Sequence, residues 1–439
     1  MHYFITGVFW IAVYMGMALF PCLVLLSGRM PPGYGYLWDF SLALGYGAAS
    51  MMAIMFFLTA RFKRPALPFG VDVIYYFHKY IALLLFLVVA AHPVILLITE
   101  PVVREMLKPA QINRYMAAGV ISFFLLTLIV ISSLWRKQLN IHYDNWRLIH
   151  TVLAVAAFVL ALIHIEGAGY YINTPVKRLI WLLIMVCWLL IQVYVRLVRP
   201  LELLSKPYRV KEVVKERGNA YTLVVEPGQH EIPAYKPGQF AWLSMFNSPF
   251  SMKEHPFSFS SNPERKGELR FTIKELGDFT RRIKDAVAGQ TVYIDGPYGA
   301  FSIDRHPSAH GYVFIAGGIG IAPVRSMLGA LADRKDDRTH ILFFAGNSLE
   351  KLTFYEELNG LREQLDLKVV FVLQNPPPDW RGESGYLTRD TLTRHLPAYF
   401  REQEYFICGP VPMMEVAEKE LHGMGVPLRR LRSELFDFV

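Results

Sequence analysis

The sequence predicts a multi-domain membrane protein in which a six-helix transmembrane bundle precedes an antiparallel β-barrel and an α/β doubly wound domain. Hydrophobic residues make up 53% of the 439 residues, more than a soluble chain of this size normally carries. Charged residues are rare up to about residue 200 and recur every few residues from Lys206. The charged part then changes from strands alone to strands that alternate with helices. The predicted domains cover residues 1–200, 205–305 and 308–439.

Six uncharged runs predict the membrane-spanning helices, because each approaches or exceeds the roughly 20 residues that a helix needs to cross the hydrocarbon core. The runs cover residues 3–28, 40–60, 80–99, 115–135, 148–165 and 179–195. The first run has no basic region ahead of it and is too long for a signal-peptide core, so we expect it to remain as a membrane span. The chain is therefore predicted to be an integral protein of a lipid membrane.

The distribution of charge predicts the orientation of the chain and excludes one class of partner. Basic residues follow the sixth span at Arg196, Arg199, Lys206 and Arg209. By the positive-inside rule they place the polar half in the cytoplasm, and with six spans the N-terminus as well. The net charge of +8 is scattered and forms no basic run interleaved with aromatic residues, so we expect no nucleic-acid partner. The three cysteines are too few and too far apart for a disulfide framework.

Four histidines occupy two of the apolar spans at one repeated spacing. His78 and His92 lie on the third span, and His150 and His164 lie on the fifth, each pair 14 residues apart. In a helix that spacing stops about 40° short of four turns, so both imidazoles share one stripe about 21 Å apart. The third and fifth spans run in the same direction. We therefore expect His78 to face His150 and His92 to face His164.

Facing imidazoles inside a helical bundle predict metal ligation by haem. The iron of a flat macrocycle between two histidines forms a bis-histidine b-type haem, and two such pairs hold two stacked haems. A single intramembrane histidine is more often a packed or hydrogen-bonded residue, but four at matched spacings are hard to explain that way. His142, at the membrane edge, has no matched partner and is expected to be interfacial. No CxxCH motif occurs, which excludes covalently attached haem.

The polar half begins with strands broken by Pro-Gly turns, from YRVKEVV at 208–214 to QTVYIDGPYG at 290–299, which predicts a small antiparallel barrel. From Gly311 strands alternate with helices, as in a parallel doubly wound sheet. The turn GGIGIAP at 317–323 follows the apolar strand YVFIA. Such a turn lets main-chain amides approach a pyrophosphate, although by itself it could also be only a tight connection. Its position after this strand favours nucleotide binding by Gly317, Gly318, Gly320 and Pro323.

The stretch HPFSFSS at 255–261 resembles the flavin strand of the ferredoxin reductase superfamily, with its Arg- or His-Pro-aromatic-Ser/Thr pattern. The resemblance implies that the barrel binds FAD and that Ser258 faces N5 of the flavin ring. KELGDFT at 274–280 is similar to the segment that holds the flavin pyrophosphate, and GPYG at 296–299 and CGP at 408–410 match as well. The residues implied to bind cofactors are His255, Pro256, Phe257, Ser258, Lys274, Gly277, Thr280, Gly296, Tyr298, Cys408, Gly409 and Pro410.

Across nearly its full length the chain resembles the NADPH oxidase and ferric reductase superfamily, and most of all the compact bacterial NADPH oxidases. YDNWRLIH before the fifth span and the terminal ELFDF are similar to theirs. The resemblance implies a location in the bacterial inner membrane. It also implies catalytic roles for Ser258, for Cys408 near the nicotinamide ring, and for Phe436, the terminal aromatic residue that stacks on the flavin face.

The implied reaction moves electrons from NAD(P)H to the flavin as hydride, then singly through the His78/His150 haem to the His92/His164 haem and an outer acceptor. Oxygen, which gives superoxide, is the first expectation for the acceptor. A ferric or cupric chelate is the second, and an extracytoplasmic redox partner is the third. Related chains that use NADPH often carry an arginine after the second nucleotide-domain strand, whereas this one reads FFAGNSLEK. Asn347 suits a ribose hydroxyl, so both NADPH and NADH remain candidates.

Overall fold

The computed structural model describes residues 2–27, 31, 33–62 and 71–435, with the side chains of all of these except residues 2–6, 71 and 72. The chain divides near residue 200 into two compact units. We call the part before this division the helical unit and the part from Leu201 onward the sheet unit. The predicted domain bounds remain predictions.

Helices make up the helical unit. They are α1 (His2–Leu26), α2 (Tyr36–Leu58), α3 (Val71–Thr99), α4 (Pro101–Met106), α5 (Arg114–Leu134), α6 (Tyr143–Ala168), α7 (Pro175–Val193) and α8 (Arg199–Leu204), which crosses the division into the sheet unit, with a π-helix at Tyr194–Val198 between the last two. Over the described residues, six of them (α1 to α3 and α5 to α7) are long and apolar enough to span a membrane. This confirms the six predicted spans.

Several spans begin earlier than the uncharged runs predict. Helix α6 begins at Tyr143 and α7 at Pro175, five and four residues ahead of their runs. The runs were bounded by charged residues, but helical hydrogen bonding continues through such residues. Asn113 caps α5 by accepting from the Met116 amide at 3.0 Å, and Gly169, with φ of 63°, ends α6 in the left-handed conformation.

Aromatic and small side chains form the interior of the helical unit. Phe158, Trp181 and Met185 are fully buried and pack in one cluster with α2. Helix α2 contributes small residues such as Ala49 and Ala53, which let neighbouring backbones approach. Helix α3, in contrast, buries few of its side chains, although it is the most apolar span. The side chains of α3 therefore lie mostly at the surface of the helical unit.

The sheet unit begins with an antiparallel sheet. Its strands are β1 (Tyr208–Glu216), β2 (Ala220–Pro227), β3 (Phe240–Met245), β4 (His255–Ser258), β5 (Leu269–Lys274) and β6 (Thr291–Tyr298), in the order β4-β3-β6-β1-β2-β5. A bridge between Phe259 and Phe271 joins the two edge strands, so the sheet closes on itself. Leu223, Leu243 and Phe271 fill the interior. The predicted barrel is confirmed.

A parallel sheet follows. Its strands are β7 (Tyr312–Gly317), β8 (His340–Gly346), β9 (Leu367–Leu373), β10 (Glu383–Ser384), β11 (Glu404–Cys408) and β12 (Leu431–Glu434), in the order β10-β9-β8-β7-β11-β12. Short helix α9 (Asp278–Arg281) belongs to the barrel, and α10 (Ile321–Asp333), α11 (Tyr355–Gly360), α12 (Arg389–His395) and α13 (Val411–Gly423) accompany the parallel sheet. Buried clusters cover both faces of the parallel sheet, which confirms the doubly wound fold.

The chain runs outward from β7 to β10 and then returns to the other side of β7 as β11. The carboxyl ends of β7 and β11 therefore flank the point where strand order reverses, which is where open α/β sheets bind their ligands. The segment after β4 is tied to α10: Ser326 Oγ donates to the Ser261 carbonyl at 2.6 Å, and Arg265 makes two hydrogen bonds to Asp333, both at 2.8 Å. These bonds fix the end of β4 relative to α10.

Candidate functional site

The four spanning histidines lie as two facing pairs. In the first histidine pair, His78 of α3 and His150 of α6, the ring centroids are 6.4 Å apart and the planes are inclined by 58°. In the second histidine pair, His92 and His164, the centroids are 6.3 Å apart at 65°. All four rings are half-buried. The structure thus brings together the residues that the sequence predicts to face each other.

Main-chain carbonyls hold both rings of the second pair. His92 Nδ1 donates to the Ser41 carbonyl at 2.8 Å, and His164 Nδ1 donates to the Tyr115 carbonyl at 3.1 Å. A carbonyl can only accept, so Nδ1 carries the proton in both rings. Nε2 therefore keeps its lone pair, which is the form that binds a metal.

The first pair has weaker support. His150 Nδ1 lies 3.4 Å from Ser133 Oγ, a long contact, and that hydroxyl already donates to the Ile129 carbonyl. Within the described part of the chain, His78 Nδ1 is buried and has no hydrogen-bond partner. Sequence reasoning gave no indication of this difference between the pairs, because it depends on which residues of other helices lie behind each ring.

Each pair fits a macrocycle-bound metal better than a bare ion. A metal–imidazole bond of about 2.0 Å on each side, plus about 1.1 Å from nitrogen to ring centre, gives a centroid separation of roughly 6.2 Å, close to the two observed values. No group of three or more His, Cys, Asp or Glu placed to hold a metal occurs among the described residues. Two histidines alone leave most coordination positions open, and a haem would supply the rest from its own nitrogens. Their assignment as haem ligands stays a prediction.

Strand β4 carries the predicted flavin residues along one edge of the barrel. His255, Pro256, Phe257 and Ser258 pair with β3. Ser258 is 5% exposed, and its hydroxyl has no hydrogen-bond partner among the described residues. A buried hydroxyl without a partner costs free energy, so its presence favours a bound group that would satisfy it.

Phe279 is a neighbour of β4 that sequence reasoning missed. Its ring centroid lies 4.1 Å from that of His255 and 5.9 Å from that of Phe257, with which it stacks. It lies inside KELGDFT, where only the flanking positions had been singled out. The signal in the sequence for this contact with β4 is the aromatic residue between Gly277 and Thr280.

The predicted pyrophosphate segment is held by its own hydrogen bonds. Thr280 Oγ1 accepts from the Leu276 and Gly277 amides, each at 2.9 Å, and donates to the Gly277 carbonyl at 3.0 Å. Lys274 ends β5 nearby and is half-buried. In GPYG, Tyr298 is buried and its hydroxyl donates to Asp295 at 2.8 Å. The hydroxyls of Thr280 and Tyr298 therefore already serve the local fold.

The nucleotide turns after β7 and β11 pack directly against each other. A Cβ on Gly320 would lie 2.2 Å from the Cys408 carbonyl oxygen, and one on Gly317 would lie 2.8 Å from Pro410. Gly409 is equally constrained, since its Cβ would lie 2.9 Å from the Gly317 amide nitrogen. Gly318, with φ of 53°, is in the left-handed region, and Pro323 lies in the first turn of α10. Glycine is required here because two backbones meet.

Cys408 lies at the centre of this meeting point. It is fully buried, and burial raises the pKa of its thiol well above the usual value, with a further rise from the Glu434 carboxylate. Glu434, the last residue of β12, pairs with Cys408 and is 8% exposed. Sequence reasoning missed Glu434, because only the pairing of β12 with β11 brings it there. The thiol is therefore neutral and lies beside a buried acidic side chain.

The remaining predicted positions lie at the margin. Asn347 follows β8 and is exposed, with its side-chain amide 3.4 Å from Gln374. His142 is exposed at the start of α6. Phe436 lies outside the described residues. The individual site residues stay predictions.

Known families match the three parts of the chain in order. Residues 44–161 match the ferric reductase like transmembrane component, residues 208–302 an FAD-binding domain, and residues 314–419 the oxidoreductase NAD-binding domain. NADH-cytochrome b5 reductase 1 of Debaryomyces hansenii is 32% identical over 187 residues, and that of Meyerozyma guilliermondii is 33% identical over 184. These matches cover 40% and 41% of this chain and 66% and 64% of the relatives, so the chain spans less than two thirds of their length.

The chain is also similar to solved structures. The cytochrome b5 reductase domain of Ulva prolifera nitrate reductase is 20% identical with a TM-score of 0.46, covering 52% of this chain and 96% of that domain. Flavohemoglobin from Malassezia yamatoensis is 17% identical with a TM-score of 0.49, covering 91% of this chain and 97% of that one.

The chain thus carries an FAD-binding domain and an oxidoreductase NAD-binding domain. Its six apolar helices indicate an integral membrane protein. With the ferric reductase like component ahead of these two domains, the chain has the architecture of the NADPH oxidase and ferric reductase superfamily.

Proposed function

We propose that the protein transfers electrons across a membrane from cytosolic NAD(P)H, through FAD and two b-type haems, to O2 on the outer side, where superoxide forms. The observation that carries the proposal is the matched geometry of the two histidine pairs, whose ring centroids are 6.4 and 6.3 Å apart. One buried histidine can be explained by packing alone. Two facing pairs at one spacing on the same two helices support two bis-histidine haems stacked across the bilayer.

In this proposal the first histidine pair holds the haem nearer the cytoplasm, and the second pair holds the haem nearer the outer face. When bound, FAD takes up a hydride and releases electrons singly, and the haems carry them one at a time. The histidines would contribute neutral imidazoles, and in the second pair the hydrogen bonds at Nδ1 leave Nε2 free to bind a metal. The apolar walls of α3 and α6 keep water away from that space.

The sheet unit would bind the flavin and the reductant. The Ser258 hydroxyl, buried and without a partner in the described chain, is available to a flavin ring along β4. The main chain of the Gly317–Gly320 turn and the Cys408–Pro410 turn would hold the dinucleotide at the reversal of strand order. The neutral, buried Cys408 thiol offers an uncharged contact beside the nicotinamide ring. Asn347 would serve a ribose hydroxyl, so that both NADH and NADPH are used.

A second candidate acceptor is a ferric or cupric chelate, which the match of residues 44–161 to the ferric reductase like component favours. An extracytoplasmic redox protein is the third, and the bacterial inner membrane is the proposed location in every case. All three require the same residues and differ only at the outer face.

The test uses the full-length protein, purified with haem and FAD and placed in vesicles that enclose cytochrome c. NADH or NADPH is added outside, so only chains with the sheet unit outward are reduced. We expect enclosed cytochrome c to be reduced, and superoxide dismutase inside the vesicles to suppress that reduction. Dismutase-insensitive reduction of an enclosed ferric chelate at a higher rate would replace O2 with the second candidate. Absence of haem from the purified protein would end the proposal.

A further inference from the structure

The two histidine pairs differ in the groups behind their rings. Both rings of the second pair donate from Nδ1 to main-chain carbonyls, at 2.8 Å to Ser41 and 3.1 Å to Tyr115. In the first pair the nearest such contact is a hydroxyl at 3.4 Å from His150, and within the described residues His78 Nδ1 has no partner.

This difference has an electronic consequence for any metal held at Nε2. Donation from Nδ1–H to a carbonyl pushes electron density into the ring and makes Nε2 a stronger base. A more basic axial ligand favours the ferric over the ferrous state, so the reduction potential falls. Both ligands of a haem between His92 and His164 would be made more basic in this way. For a haem between His78 and His150 the effect would be weak or absent.

We propose that the second histidine pair holds the haem of lower reduction potential, and that Ser41 is a positioning residue that sets it. This inference rests on the proposed function and deepens it. The stronger reductant would then lie at the outer face. A haem held there would pass one electron to O2, giving superoxide without uptake of a proton. A low potential is needed for an acceptor that is hard to reduce by one electron, which favours O2 over a ferric chelate.

Ser41 contacts His92 through both its main chain and its side chain. Its carbonyl accepts from His92 Nδ1, while its hydroxyl lies 3.0 Å from the same nitrogen and donates to the His92 carbonyl at 2.8 Å. The residue is fully buried. One turn further along α2, a Cβ on Gly45 would lie only 3.3 Å from His92 Nδ1. Helix α2 is thus held closely against the His92 ring, and loss of the Ser41 hydroxyl would weaken this contact.

On the other ring, a glycine lets a neighbouring helix come close. A Cβ on Gly119 of α5 would lie 2.7 Å from His164 Nδ1. Because that position is glycine, α5 can approach far enough for the Tyr115 carbonyl, one turn earlier, to reach the same nitrogen. Neighbouring helices therefore hold both rings of the second pair: α2 holds His92, and α5 holds His164.

The test is a spectroelectrochemical titration of the full-length, haem-loaded protein. We expect two one-electron waves, and His164→Ala should abolish the lower one, which assigns it to the second pair. Ser41→Ala should raise the lower wave so that the ferric-to-ferrous ratio at a fixed potential changes about tenfold, or about 59 mV. Ser41→Thr keeps a hydroxyl and should restore the wild-type value.

Ser133→Ala is the matched control, since it removes a hydroxyl beside the first pair and should leave the lower wave in place. If Ser41→Ala fails to retain haem, Ser41→Cys keeps a weaker donor and should give an upward shift of smaller size. The inference is overturned if the second pair gives the higher wave, if Ser41→Ala and Ser41→Cys leave it unmoved, or if Ser133→Ala moves it equally. Each of these outcomes leaves the two-haem proposal intact, whereas protein with no haem defeats that proposal instead.

Discussion

In the helical unit the candidate groups are side chains that project from helices, and hydrogen bonds at Nδ1 orient those of the second histidine pair. In the sheet unit, at the nucleotide turns, the candidate groups are main-chain amides that glycine makes accessible. The Ser41 carbonyl of a neighbouring helix accepts from His92 Nδ1 at 2.8 Å and so holds that ring. At Gly320, in contrast, the Cys408 carbonyl oxygen lies only 2.2 Å from the position that a Cβ would occupy.

The two units therefore differ in the kind of substitution that each tolerates. Removing atoms from a histidine ring empties the helical site and leaves the helices in place, because an apolar span stays stable with alanine. In the nucleotide turns the side chains contribute little, and adding one methyl group does the damage.

His164→Ala should remove one haem and, with it, reduction of the outer acceptor, because a single imidazole from His92 cannot replace the facing ligand. The flavin should still be reduced by NAD(P)H. Haem content, from the pyridine haemochrome spectrum, should fall from two to one per chain. His142→Ala, a change at an exposed histidine, is the control and should keep both haems. Two haems with unaltered spectra in His164→Ala would refute the ligand assignment.

Gly320→Ala should weaken nucleotide binding at least about tenfold and lower the free energy of unfolding by about 1–3 kcal/mol, since a Cβ there meets the Cys408 carbonyl at 2.2 Å. The Kd for NADH and the thermal midpoint report the two effects. Gly360→Ala adds the same methyl group at a position with nothing within 4 Å, and should change neither appreciably. Equal behaviour of the two variants would show that the turns are not tightly packed.

Ser258→Ala should slow flavin reduction roughly a hundredfold, as expected for loss of a hydroxyl that acts at the reacting atoms. Because this hydroxyl has no partner among the described residues, the flavin-free protein should lose no stability. Ser260→Ala, two residues on, removes a hydroxyl that accepts from Thr272 at 2.8 Å, and should cost about 1 kcal/mol while sparing the rate. Stopped-flow reduction and thermal unfolding distinguish the two. A Ser258→Ala rate at the wild-type value would exclude the role.

A pH-dependent effect on stability is expected at the strand that carries Glu434. Arg432 of β12 donates to His306 Nε2 at 2.8 Å, so that ring nitrogen must be unprotonated. Burial, with help from Arg432 and Arg305, lowers the pKa of His306 to about 4 from 6.5. Between about pH 6.5 and 4 the unfolded chain binds a proton that the folded chain does not. The free energy of unfolding therefore decreases as the pH is lowered through this range, by up to about 3 kcal/mol.

His306→Gln should remove this part of the pH dependence. Thermal unfolding of the full chain at pH 7.5 and 5.0, in both proteins, gives the comparison. Nearby Glu404, whose pKa is raised by burial, acts in the opposite direction in both proteins, so the difference between them isolates the histidine. Equal slopes would mean that His306 does not titrate in this range.

Prediction from sequence succeeded where a periodic pattern carried the information. The 14-residue spacing placed His78 opposite His150 and His92 opposite His164, because a helix fixes angle and rise per residue. Helix ends were less well predicted, since charged residues interrupt an apolar run without ending a helix. Phe279 and Glu434 were missed, because one reaches β4 and the other reaches Cys408 only through packing.

The six spans, the strand order along the chain, the spacing of the histidines and the glycine turn can be read from the sequence alone, since these follow from hydropathy and local backbone preference. Only the tertiary structure decided which surfaces meet: that Ser41 and Tyr115 stand behind the second histidine pair, that a bridge at Phe259 closes the barrel, and that Gly320 touches Cys408. Such contacts join residues from 12 positions apart, at Phe259 and Phe271, to 88 positions apart, at Gly320 and Cys408. They depend on the packing of whole helices and sheets, which no local pattern encodes.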